Sequence, residues 1–126
     1  MLTNPYLLAF ITTLFIGLFC ELTARLGKLW IYRKPIYPVL NILLMFGIVM
    51  GALSLLIPRT GLLPVFIIAI AIGYAYEKIN FSHLYWWDFP GDKFLFFSGQ
   101  EACARSVAIL WGITPLLSNA IQSYLS

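Results

Sequence analysis

Apolar residues run through the chain almost without interruption, and the few charged positions divide them into four blocks. No Asp, Glu, Lys or Arg occurs in residues 1–20, 35–58, 60–76 or 106–126. A membrane-spanning helix needs about 20 mostly apolar residues at 1.5 Å rise each. The blocks therefore predict four spans, over about 6–24, 37–56, 61–80 and 94–114. Asn4-Pro5 is a helix-start signal ahead of the first. Pro58 is expected to close the second, and Pro115 to end or kink the fourth. The last ten residues, with Ser118, Asn119, Gln122 and Ser123, read as a short amphipathic tail on the outer surface. Between the third and fourth spans, Asp88-Phe-Pro-Gly-Asp92 supplies a turn. The expected class is all-α: a polytopic membrane protein whose residues 1–126 form one domain of four transmembrane helices.

Composition rules out the alternatives. Hydrophobic residues make up 61% of the 126 and charged residues 10%, against roughly 45–50% and about 25% in soluble domains. So small a soluble domain has too much surface per unit volume to hide four apolar runs. The net charge of +3 forms no basic stripe, so no nucleic-acid partner is expected. The first block has no preceding Lys or Arg and no small-residue cleavage site, and it reads as a span rather than a signal peptide.

The charges also orient the chain. With four spans, Arg25, Lys28, Arg33, Lys34, Lys78 and Lys93 fall on one side and only Arg59 on the other. By the positive-inside bias the two basic loops are cytoplasmic and both termini lie outside, in a multi-pass protein of the inner (plasma) membrane. The aromatic run Phe81 to Phe89 reads as an interfacial belt beside the cytoplasmic turn, with Trp87 and Asp88 fixing that turn.

Ionisable residues inside the spans are the candidate chemistry. Glu21 lies late in the first span, and Glu101 and Arg105 lie in the fourth. Counted from Phe94, Arg105 sits about 16 Å in, near the midplane. An arginine there costs roughly 2.5–3.5 kcal/mol, which predicts that it faces the bundle interior and is paired. Glu101 and Arg105, like Glu21 and Arg25, stand at i, i+4 in a Glu-x-x-Ala-Arg pattern. Pairing across helices, Glu21 to Arg105 or Arg25 to Glu101, is equally open. Glu77-Lys78 closes the third span at the same level. The expected polar intramembrane centre is therefore Glu21, Glu77, Glu101 and Arg105, serving either as a salt-bridge network or as a site for a headgroup, ion or proton. Small residues at four-residue spacing, Gly47/Gly51, Ala69/Gly73 and Ala104/Ala108/Gly112, predict close packing within the bundle or against a partner. Cys20, Cys103 and the single His83 lack the clustering that zinc or haem needs, so no metal site is expected. No phosphate loop, nucleophile elbow or paired-cysteine motif appears, and no catalytic residue or cofactor is specified.

Glu21, Arg33-Lys34, Tyr37-Pro38, Glu77-Lys78, Trp87-Asp88-Phe89, Phe94, Gly99 and Trp111-Gly112 form a pattern that resembles the bacterial ABC-transporter type IV membrane family over about 17–113. The resemblance implies an integral membrane subunit of a larger assembly, a transporter component. Its partners would be the lipid bilayer, other integral membrane subunits and a separate ATPase. Small exporters fit less well because their essential Glu is central in the first span, and fluoride channels because their Gly-rich, Arg-containing signature is absent. Two further classes remain open from the residues: a structural accessory subunit of an energy-transducing membrane complex, and an integral-membrane enzyme acting on a lipid or isoprenoid with an acid such as Glu101 or Asp88 as proton donor.

Overall fold

Asn4 caps the first helix as its sequence position suggests. Its side chain accepts from the backbone N–H of Tyr6 and Leu7 at 2.9 and 3.2 Å, with Pro5 in the first turn. In the computed structural model, which describes residues 4–126, α1 runs Pro5–Gly27, α2 Ile36–Thr60, α3 Leu62–Leu84 and α4 Gln100–Leu125. The first three are long and apolar enough to cross a membrane. The architecture is all-α apart from two minimal antiparallel pairings. Strand β1 (Ile31–Tyr32) pairs with β2 (Trp87–Asp88), and β3 (Lys93–Phe94) pairs with β4 (Phe97–Ser98). The first pairing ties the loop after α1 to the loop after α3, so both loops cap the same end of the bundle.

Two helix boundaries differ from expectation at prolines. Pro58 lies inside α2, which continues to Thr60. Gly61 makes the break instead, at φ 93° and ψ 166°, a backbone region where a side chain is strained. Pro115 lies buried inside α4, and the helix runs through it. The expected surface tail is therefore helix: Ser118 is fully buried and its hydroxyl is 2.9 Å from that of Thr13 on α1.

The start of α4 is the largest correction. Residues 94–99, apolar enough to read as the beginning of a span, form the β3–β4 hairpin, whose Leu95 takes φ 54°. Counted from Gln100, Arg105 is only about 8 Å into the helix.

Small residues set the helix contacts, and they do so inside the bundle. Gly47 and Gly51 of α2 lie against Phe10, Leu14, Ala9 and Thr13 of α1. Gly73 of α3 receives Trp111 of α4, and Gly112 of α4 receives Ile70 and Phe66 of α3. Around these contacts the core gathers Phe46 and Met50 of α2, Val65 and Ala69 of α3, and Cys103, Val107 and Trp111 of α4. Two buried asparagines open stretches of wider, π-type turns, Asn41–Met50 in α2 and Asn80–Leu84 in α3. Such turns concentrate at functional positions.

Candidate functional site

Each buried acid is held by side chains that the folded loops bring back to it. Glu21 is 8% exposed and about 9 Å from the end of α1. Its carboxylate accepts from Tyr32 Oη at 2.7 Å, Asn41 Nδ2 at 2.7 Å and Trp30 Nε1 at 3.1 Å. Tyr32 and Trp30 come from the α1–α2 loop and Asn41 from the start of the wide turns of α2. The left-handed turn at Lys28, φ 52°, reverses the chain so that this loop folds back over α1. Burial, and then the adjacent Glu21, push the Tyr32 phenol well above its ordinary pKa, so it remains a donor.

Glu77 is 2% exposed and accepts one indole N–H on each oxygen: Trp111 Nε1 to Oε1 and Trp87 Nε1 to Oε2, both at 3.2 Å. Asn80 delivers Trp87. Its Nδ2 donates to the Trp87 carbonyl at 3.0 Å, and its Oδ1 accepts from the backbone N–H of Trp86 at 2.8 Å and of Trp87 at 3.3 Å. Trp87 and Phe89 are consequently core residues, 4% and 5% exposed, rather than members of an interfacial belt. Asp88 points outward and takes a two-pronged pair from Arg33, Nε to Oδ2 at 2.9 Å and Nη2 to Oδ1 at 3.0 Å. Both partners of this pair are about half exposed. Arg33→Ala is therefore expected to lower thermal stability only slightly, by an amount that shrinks with added salt.

The two acids share one cavity of about 140 Å³, with Glu21, Trp30, Tyr32 and Asn41 on one side and Glu77, Trp87 and Trp111 on the other. Tyr76 links the two halves. Its hydroxyl donates to Asn41 Oδ1 at 2.8 Å, and its ring packs 5.0 and 5.8 Å from those of Trp87 and Trp111. Apart from Cys20 and Thr114 the rest of the lining is apolar, and Leu110, Ile113 and Leu117, each nearly half exposed, form the wall that reaches the outside of the bundle.

Glu101 and Arg105 are placed elsewhere. The structure separates the four residues expected to meet: Glu21 and Glu77 converge, whereas Glu101 and Arg105 lie on the outer surface of the α3–α4 pair. Glu101 accepts from Lys78 at 2.7 Å, from Arg105 at 3.2 Å and from the Tyr74 hydroxyl. The Arg105 side chain is 72% exposed. Because α4 starts later than expected, Arg105 reaches the bundle end and has no need of an interior partner. Among the described residues neither Glu21–Arg105 nor Arg25–Glu101 forms an ion pair. Arg105→Ala should leave folded yield near that of the parent chain, since Lys78 still pairs Glu101; a collapse in yield would place Arg105 inside the bundle.

Trp30, Tyr32, Asn41, Tyr76 and Trp111 join the site only through the fold. Asn41 left a readable trace as a lone amide inside an otherwise apolar block. The others are aromatic residues among many, and only the loop path aims them at the acids. Among the described residues no group of three His, Cys, Asp or Glu side chains is placed to hold a metal ion, and Cys20 and Cys103 are free thiols. No family model, curated protein or solved structure matches this chain.

Proposed function

We propose that the chain is a four-span protein of the inner membrane, an integral subunit of a transport assembly, in which Glu21 and Glu77 take up and release protons. In this reading α4 is the fourth span, the paired loops are cytoplasmic, and both termini lie outside. The apolar outer surface supports membrane insertion: Phe15, Phe19, Ile48, Leu63 and Ile67 are 55–72% exposed, a density of outward large side chains that water does not tolerate. Six of the seven loop cations gathered at one end support the orientation.

The observation that carries the proton reading is the partner set of the two acids. Every donor to Glu21 and Glu77 is neutral: two indoles on one, and an indole, a phenol and an amide on the other. An uncompensated buried charge costs several kcal/mol. Acids built this way gain or lose a proton as the cavity fills or opens, which is the property that a coupling site needs. The hydrogen-bonded path from Glu21 runs through Asn41 to Tyr76, whose ring packs on the two indoles that hold Glu77. The other integral subunits and a separate ATPase would supply the driving step, since the chain has no nucleotide-binding motif of its own.

Infrared difference spectra of the purified chain in mild detergent, taken between mildly acidic and alkaline pH, test this. A protonated-carboxyl band that titrates, and that is altered by both Glu21→Gln and Glu77→Gln, is expected. A spectrum unchanged by either substitution contradicts the proton role. Elution with stoichiometric integral partners is expected under the same conditions, and lipid turnover by the isolated chain would overturn the subunit reading.

A further inference from the structure

A second, larger recess lies on the opposite side of Glu21. It occupies about 710 Å³ between the second half of α1, the loop after it and the start of α2. Its composition changes along its length. Toward the middle of the bundle it is walled by Leu18 and Leu22 of α1 and by Pro38 and Ile42 of α2; at the loop end it is rimmed by Arg25, Lys28 and Lys34. Leu18, Leu22 and Arg25 stand at i, i+4 and i+7, so one stripe of α1 carries the transition from apolar to cationic.

Four cations line this recess, Arg25, Lys28, Arg33 and Lys34. Arg33 is engaged by Asp88, and Lys78 and Arg105 by Glu101. Arg25, Lys28 and Lys34 are exposed and, among the described residues, form no ion pair, as is also true of Lys93 outside the recess. Positive-inside bias accounts for the side on which they fall but not for their meeting round the mouth of one groove. Glu21 also borders the groove, yet both of its oxygens are occupied by Trp30, Tyr32 and Asn41.

The geometry points to a binding site for one anionic glycerophospholipid, its phosphate among Arg25, Lys28 and Lys34 and an acyl chain along Leu18, Leu22 and Ile42. This rests on the membrane reading above but not on the proton role of Glu21 and Glu77. A basic recess between helices at the cytoplasmic headgroup level is the arrangement that selects acidic lipids. The volume falls in the range of ordinary small-molecule sites. The occupant is a lipid rather than free phosphate because the apolar half of the groove is continuous with the cationic half, and Leu18 and Leu22 are 43% and 52% exposed.

The test uses the full chain purified in mild detergent and read by native mass spectrometry and thermal midpoint. Phosphatidylglycerol, phosphatidylcholine with the same acyl chains, and inorganic phosphate are added in separate arms. About one phosphatidylglycerol per chain should survive detergent washing and raise the midpoint, with phosphatidylcholine washed away. Each cation is worth about fivefold in acidic-lipid affinity, so Arg25→Gln/Lys28→Gln/Lys34→Gln should lose on the order of 100-fold. Leu18→Ser/Leu22→Ser should weaken the lipid effect, whereas Lys93→Gln should retain it.

Equal retention of both lipids by the parent chain overturns the proposal, and that comparison decides even where the triple variant misfolds. Full stabilisation by inorganic phosphate reduces the site to an anion site and also overturns it. Recovery of the parent chain in the soluble fraction after cell disruption would instead overturn the membrane reading itself.

Discussion

Glu77→Leu is expected to lower the thermal midpoint of the purified chain sharply, because two buried indole N–H groups lose their acceptors together. Trp87 and Trp111 are 4% and 5% exposed, and each donates to a separate oxygen of Glu77. A buried donor left without a partner costs about 1–3 kcal/mol, so the pair costs about 2–6 kcal/mol, offset in part by removal of the acid's own desolvation. Glu77→Gln keeps one carbonyl oxygen and should fall between the parent and Glu77→Leu. Loss of the anchor also frees Trp87, through which the β1–β2 pairing reaches the bundle. Fluorescence-detected melting in detergent gives the order directly; equal midpoints for the Leu and Gln variants would mean that the indoles are not anchored on Glu77.

Gly73→Ala is expected to have an effect of similar size from one added carbon. A Cβ at this position overlaps Cβ of Trp111 and comes within 2.5 Å of its Cγ and Cδ1. The obstructing atoms are at the root of a buried indole rather than at the tip of a flexible chain, so α3 and α4 must separate or Trp111 must turn. Overpacking of this kind costs about 1–3 kcal/mol, and a turned Trp111 also withdraws its hydrogen bond from Glu77. Gly27→Ala is the control. Its new carbon meets nothing closer than Leu29 Cγ at 3.5 Å, and its midpoint should match the parent. A Gly73→Ala chain as stable as Gly27→Ala would show that α3 and α4 do not pack at this point.

Much of this arrangement is legible in the sequence, for reasons that particular residues make plain. Charge-free blocks of adequate length require helices: α1 and α2 contain the predicted ranges 6–24 and 37–56, and α3 covers all of 61–80 except Gly61, which makes the break before it. Small residues four apart mark contact faces, and Gly47, Gly51, Gly73 and Gly112 each lie against a neighbouring helix. The fourth helix is misread because Phe94 to Phe97 is as apolar as a span, while the hairpin that claims it depends on a tight turn at Leu95-Phe96 rather than on hydropathy. That six-residue error moves Arg105 from the midplane to the bundle end and dissolves the expected four-residue centre. At Pro115 the helix-end alternative fails for a different reason. Position rules weigh the lost hydrogen bond, but they cannot see that the surrounding helices bury Pro115 and carry α4 past it.

The candidate site divides along the same line. Acids in apolar blocks announce themselves, so Glu21 and Glu77 are readable as unusual. Their partners are not, because Trp30, Tyr32 and Trp87 reach them only after two loops fold back and pair through β1 and β2. Local spacing favours Arg25 as the companion of Glu21, at i+4, yet Arg25 turns to the groove rim and neutral donors take its place.

Labelling with a hydrophobic carbodiimide tests the central claim most directly. Dicyclohexylcarbodiimide adds to a carboxyl group that carries its proton and is reached through apolar surroundings, forming a stable acylurea that peptide mass spectrometry locates. Glu21 and Glu77, on their shared cavity with neutral partners, are expected to be modified in membranes. Glu101, an ionised acceptor beside Lys78 and Arg105, is expected to stay unmodified. Labelling of Glu101 with Glu21 and Glu77 untouched would contradict the account.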